Sequence, residues 1–211
     1  MKIGIIGSGI VAQTLAAGLL AHGHQVMLGT RDPGKLAAFV DRHPGLQAGG
    51  VAQAAAFAEL GILAVKGTAA LEAARAAAAG LAGKTVIDTT NPMKEEPPVD
   101  GVIPYFTGPN DSLLEQLQRE FKAVRFVKAF NSVGSASMID PKFEGGPPTM
   151  FIAGDDAQAR ADVARLLAEV GWQVEDLGKA TAARAIEPLA MLWCIPGFLR
   201  NDWVHAFKML R

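Results

Sequence analysis

Lys2-Ile3-Gly4-Ile5-Ile6-Gly7-Ser8-Gly9-Ile10-Val11-Ala12 is the stretch on which the fold turns. After Lys2, residues Ile3–Ile6 are apolar and rich in isoleucine, as a strand buried on both faces requires. From Ile10 to Leu20 the apolar residues return at helical spacing, and His22-Gly23-His24 ends that run. Between strand and helix lies Gly7-Ser8-Gly9. Gly7 permits a tight turn, Gly9 leaves the backbone open to close approach, and Ala12 is small enough for the helix to pack on the strand. Strand, glycine turn and helix in this order place the free amides of a helix N-terminus where they can meet a phosphate.

Outward from this unit the pattern repeats. Strands are expected at Gln25–Leu28, Gly61–Val65, Thr85–Asp88, Val124–Ala129, Thr149–Ala153 and Gln173–Glu175. Helices are expected from Asp32-Pro33 to about Val40, with Asp32 as cap, and over Ala52–Glu59, Thr68–Ala79, Ser112–Phe121 and Ala157–Val170. Ser112 and Glu115 stand at capping-box spacing. Alternation of this kind predicts an α/β fold: a Rossmann-type, doubly wound, mainly parallel sheet. Residues 1–180 form this domain. Residues 181–211 form a small C-terminal segment, largely helical and interrupted near Pro188 and Pro196-Gly197, that closes the cleft or pairs two copies. Met93–Pro109 and Asn131–Pro148 read as loops long enough to be functional.

Composition narrows the function. Half of the 211 residues are apolar and the net charge is −1, so nothing favours nucleic acid or an anionic membrane as partner. The apolar runs look shorter than a bilayer span of about 20 residues, and Met1-Lys2 leads into a strand rather than a targeting segment. The single cysteine, Cys194, fits a reducing compartment and reads as a small buried hydrophobe. A cytoplasmic protein is expected.

The glycine turn predicts a dinucleotide, and the second strand predicts which one. Proteins that bind NAD carry a carboxylate at that strand's tip for the ribose hydroxyls. Here the tip reads Gly29-Thr30-Arg31, with Lys35 one turn later. Arg31 pairs well with a 2′-phosphate, so NADP(H) is expected over NAD(H).

Gly7-Ser8-Gly9, Gly29-Thr30-Arg31 with Lys35, and Val127-Lys128-Ala129-Phe130-Asn131 together resemble the NADPH:coenzyme F420 oxidoreductase family. The N-terminal domains of the STEAP ferric reductases belong to the same group. The resemblance extends through Met150–Asp155 and Glu187–Leu210, and so over essentially the whole chain. It implies a Rossmann domain with a small helical C-terminal segment, homodimers paired through that segment, and hydride exchange between NADP(H) and a deazaflavin. It also implies roles for particular residues. Gly7, Ser8, Gly9, Ile10 and Val11 would cradle the pyrophosphate. Thr30, Arg31 and Lys35 would take the 2′-phosphate, and Val65 and Lys66 would flank adenosine and ribose. Asn91 would sit near the nicotinamide ribose, and Ala129, Asn131 and Ser132 near the nicotinamide and the acceptor. This chain departs from the family at Asn131, where the deazaflavin enzymes carry histidine, and at Lys66 and Gly134, near which they carry prolines.

Hydride transfer between stacked rings needs positioning and exclusion of water more than acid–base groups. That agrees with four scattered histidines, His22, His24, His43 and His205, none at metal-ligand spacing. No catalytic side chain and no metal ligand is expected; Asn131 and Ser132 are expected to position. The acceptor is expected to be a deazaflavin or flavin, lying between the loop Asn131–Ser137 and a wall containing Met191 and Ile195. Two other readings remain: a reductase of a small imine or carbonyl compound, and a non-catalytic NADP(H)-binding module.

Overall fold

The computed structural model describes residues 1–211. Six strands form one parallel sheet: β1 (Lys2–Ile6), β2 (Gln25–Gly29), β3 (Gln47–Gly49), β4 (Leu60–Leu63), β5 (Thr85–Asp88) and β6 (Arg125–Lys128). Their order is β3-β2-β1-β4-β5-β6, the doubly wound arrangement, with its reversal between β1 and β4. Strand side chains alternate between the two faces. Ile3 and Ile5 enter a core shared with α1 (Ile10–Ala21) and α6 (Ala157–Glu169). Ile6 enters a second core with α3 (Val51–Phe57), α4 (Ala70–Leu81) and α5 (Leu113–Glu120). Parallel strands need such crossovers, and helices consequently cover both faces.

Several expectations need correction. Gln47–Gly49 is a strand that no apolar run announces; it is a three-residue edge strand paired to β2. Asp32 accepts no capping bond: it leads into a 3-10 turn, Pro33–Leu36, before the short α2 (Ala37–Asp41). The strands β7 (Thr149–Ile152) and β8 (Gln173–Asp176) form their own parallel pair, joined to the main sheet through a bridge between Lys128 and Ala153.

The C-terminal segment differs most. Helix α7 (Ala183–Arg200) runs unbroken through Pro188 and Pro196. Each proline removes one backbone donor, and lateral packing holds the rest of the helix together. Residues 180–200 are therefore long and apolar enough to span a bilayer by length and mean hydropathy. Yet Ile186, Glu187, Ala190 and Trp193 are buried against the domain. Asn201, in left-handed conformation, ends the helix, and residues 202–211 return over the domain without helix or strand. Phe207 O accepts from Thr149 N at 2.9 Å, and His205 O accepts from Trp193 Nε1 at 2.8 Å.

Candidate functional site

A cleft of about 1020 Å³ crosses the carboxyl edge of the sheet, where open α/β sheets bind ligands. It runs from Arg31 and Lys35 beyond β2, over Gly7–Val11, past Val65 and Lys66, to Thr89, Thr90 and Asn91 beyond β5.

The glycine turn works as its sequence requires. Gly7 has φ +143°, and a β-carbon there would stand 2.1 Å from Ala64 O. Gly9 begins α1 without a side-chain cap, and no carboxylate occupies the first turn. Around the position of a Gly9 β-carbon nothing lies within 4 Å. The first-turn amides of α1 and the positive end of its dipole thus face open space shaped for an anion. Gln13 Nε2 donates to Ser8 O at 2.8 Å and closes the loop, and Thr30 Oγ1 donates to Ser8 Oγ at 3.3 Å, tying the β2 tip to it.

Arg31 and Lys35 are exposed at the mouth. Asp32, rather than capping, stands 3.8 Å from Lys35 Nζ. Midway, Lys66 pairs with Glu95 at 3.1 Å, and Thr68 Oγ1 donates to the same carboxylate oxygen. The bond from Lys66, with help from Thr68, holds the Glu95 carboxyl below the usual range.

The far end is built differently. Asp88, Lys128 and Glu187 are buried, at 0%, 0% and 1% exposure. Lys128 Nζ lies 2.6 Å from Asp88 Oδ2 and 2.9 Å from Glu187 Oε1, and donates to Thr90 O at 2.7 Å. Burial alone would lower the Lys128 pKa; the two carboxylates reverse this and leave it raised, so the lysine stays charged. Asp88 Oδ1 accepts from Thr90 N and Oγ1, while the Glu187 carboxylate accepts from Leu113 N and Leu114 N at the start of α5. One buried cluster therefore joins β5, β6, α5 and α7.

Beside it, two asparagines bind each other. Asn91 Nδ2 donates to Asn131 O at 2.8 Å, and Asn131 Nδ2 donates to Asn91 Oδ1 at 3.1 Å and to Ile186 O at 3.0 Å. Phe130, buried and at φ +59°, makes the turn that directs Asn131 toward Asn91. A bulky residue in this region is unusual and marks a place where the surroundings dictate the backbone.

Gly7, Ser8, Gly9, Ile10, Val11, Thr30, Arg31, Lys35, Val65, Lys66 and Asn91 all line the cleft. Ala129, Asn131 and Ser132 do not; they are buried behind it. Both Asn131 amide hydrogens are engaged within the chain, with Asn91 Oδ1 and Ile186 O. Beside Gly134, on the expected acceptor loop, the space is taken by Trp193. A β-carbon on Gly134 would meet the Trp193 ring at 2.9 Å, and Trp193 is itself covered by His205, stacked at 5.0 Å. Asp88 and Glu187 escaped the sequence reading, and Lys128 entered it only as part of a motif. Their signal was a charge placed in an apolar strand or helix, which demands a buried partner without naming it.

Residues 2–92 match the family model described as NADP oxidoreductase, coenzyme F420-dependent. The chain is 37% identical to the "putative F420-dependent NADP-reductase" of Arthrobacter sp. FB24, with a TM-score of 0.93 and all of both chains covered. It is 29% identical to the metalloreductase STEAP3 of Rattus norvegicus, over 94% of this chain and 39% of that one. The chain thus spans about two fifths of that relative's length. A reductive aminase from Aspergillus terreus, solved with NADPH and ethyl-5-oxohexanoate, shares the fold alone: 24% identity and TM-score 0.66, over 95% of this chain and 62% of that one.

Proposed function

Because this chain belongs to the coenzyme F420-dependent NADP oxidoreductases, we propose that it catalyses hydride transfer between NADPH and a deazaflavin or flavin ring. One observation carries the nucleotide choice. The β2 tip offers the cleft a threonine hydroxyl bonded to Ser8 and two exposed cations, Arg31 and Lys35, where a ribose-binding carboxylate would otherwise stand. Charge-assisted bonds from such cations suit a 2′-phosphate.

The cleft fits the dinucleotide. The open space over Gly9 and the uncapped amides of α1 suit a pyrophosphate, held by Ser8, Ile10 and Val11. Thr30, Arg31 and Lys35 would hold the 2′-phosphate, Val65 and Lys66 would flank adenosine and ribose, and Asn91 would meet the nicotinamide ribose. Ala129, Asn131 and Ser132 would support that end from behind. When bound, the reduced nicotinamide supplies the hydride. The chain's own residues orient and enclose. The ionisable side chains lining the cleft are Arg31, Asp32, Lys35, Lys66, Glu72, Lys94 and Glu95, with no histidine among them. Such a set serves positioning better than proton transfer at neutral pH.

We also propose a homodimer. Leu192, Phe198, Leu199 and Val204 remain 44–79% exposed on α7 and the segment after it, a patch that pairing would cover. Light scattering that gives the monomer mass at micromolar concentration would count against it.

The test of function is NADPH oxidation with a deazaflavin, flavin mononucleotide and a ferric chelate offered in turn. Turnover with the deazaflavin or the flavin is expected. Oxidation coupled only to an imine or carbonyl compound would overturn the acceptor assignment and leave the nucleotide assignment standing.

A further inference from the structure

We propose that Asn131, although outside the cleft, is a positioning residue. It fixes the Asn91 amide at the nicotinamide end, and with the Lys128–Asp88–Glu187 cluster it makes α7 a structural determinant of how that end of the dinucleotide is held. This inference rests on the NADP(H) reading and deepens it.

The cleft's polarity locates that end. Cations mark the 2′-phosphate at the β2 side and uncapped amides mark the pyrophosphate over β1. The remaining half lies over β4 and β5, where Thr89, Thr90 and Asn91 form the lining. Each of these three is held by atoms outside the cleft. Thr89 Oγ1 donates to Leu63 O at 3.1 Å. The Thr90 carbonyl accepts from Lys128 Nζ, and its amide and hydroxyl donate to Asp88. The Asn91 side chain is bonded through both its carbonyl and its amide to Asn131.

An asparagine side chain has two donor hydrogens and an acceptor. In Asn91, one hydrogen and the oxygen are committed to Asn131, which leaves one hydrogen and a lone pair in a fixed direction at the cleft wall. Asn131 is in turn anchored to α7 through Ile186 O. The next residue, Glu187, carries the α7 end of the ion cluster. Asn131 Oδ1 is buried with no partner at all. The side chain therefore acts on its surroundings through its amide hydrogens, which bond Asn91 Oδ1 and Ile186 O. A small displacement of α7 moves Ile186 O and Glu187 together and reaches the Asn91 amide through two bonds.

The experiment compares two probes, NADPH and 2′-phospho-ADP, which lacks both the nicotinamide and its ribose. Both are titrated against the wild type, Asn131→Ala, Asn91→Ala and the double variant, with thermal unfolding recorded for each. Loss of one ordered hydrogen bond corresponds to roughly three- to tenfold in affinity. Asn131→Ala is expected to weaken NADPH by that factor and the fragment by less than about twofold. The double variant is expected to bind NADPH no more weakly than Asn91→Ala alone, because Asn131 acts through Asn91. Equal weakening of both probes, or additive losses in the double variant, would overturn the inference, since a general loosening of the fold produces those results. Should Asn131→Ala not fold, Asn131→Ser, which keeps one donor, is put through the same comparison. Failure of the wild type to bind either probe would defeat the NADP(H) reading itself, an outcome distinct from the others.

Discussion

The two ends of the cleft are held by opposite means. At the β1–β2 end the working surface is mostly backbone: a glycine turn and uncapped amides, flanked by two solvent-exposed cations. At the β5–β6 end it is side chain: a buried lysine between two carboxylates, and an asparagine pair reaching into α7. The first end is preorganised because glycine and helix geometry leave the chain few alternatives. The second depends on groups brought together from four separate elements. A site of the first kind tolerates change around it and fails at one position; a site of the second kind fails wherever one partner is removed.

The sharpest way to break this contrast is at Lys128. Replacing it by methionine leaves the Asp88 and Glu187 carboxylates buried without their cation, and breaking such a cluster costs about 3–5 kcal/mol. Glu187→Gln is expected to cost much less, because the Lys128–Asp88 pair survives and the amide oxygen still accepts from Leu113 or Leu114. Urea unfolding of both variants decides the matter. If Lys128→Met lies within about 1 kcal/mol of wild type, well below that range, the far end is not held by charge.

At the other end the opposite is expected. A β-carbon at Gly9 would have no protein atom within 4 Å and the backbone there has an ordinary φ of −75°, so the unfolding midpoint of Gly9→Val should stay close to that of wild type. NADPH binding should be lost, since the side chain fills the space reserved for the pyrophosphate. A variant that still binds NADPH normally would place the dinucleotide elsewhere.

Arg31→Ala is graded rather than absolute. Loss of a charge-assisted bond costs about 1.5–3 kcal/mol, or roughly ten- to a hundredfold in affinity for NADPH. Binding of NADH should hardly change. Equal affinity of the wild type for the two coenzymes would remove the 2′-phosphate assignment.

The same contrast explains what could be read from sequence. Gly7, Gly9 and Ala12, and then Thr30, Arg31 and Lys35, act within a few residues of each other, so their spacing carries their meaning. The parallel, doubly wound character of the sheet followed from alternating strands and helices for the same reason. Asp88, Lys128 and Glu187 lie 40 and 59 residues apart, and nothing local relates them. The tail was misjudged because proline and apolar content describe residues one at a time. Whether α7 passes through Pro188, and whether Trp193 lines a cleft or fills one, depends on lateral contacts with α5, Gly134 and His205. The Asn131–Ser137 loop was expected to face the acceptor, and beside Gly134 the space is taken by a tryptophan 59 residues further on.

The smallest expected effect is that of pH, and it sharpens the comparison by what stays constant. No histidine lines the cleft, and histidine is the side chain whose ordinary titration falls between about pH 5 and 8. The Lys66–Glu95 pair spans the rim midway between the two ends, and its carboxyl is held below the ordinary range by Lys66 and then Thr68. For a carboxyl lowered in the folded state, the stabilising contact is complete above the unfolded value. It is lost only as pH falls through the lowered folded value. The rim pair therefore stays closed across neutrality and opens only in acid. Turnover under saturating NADPH should be nearly flat between about pH 6 and 8, and Glu95→Gln should leave that plateau in place. A steep bell in that window would reveal a proton-transferring group at the β5–β6 end that the present geometry does not contain, and would shift the assignment of the acceptor toward an imine or carbonyl compound.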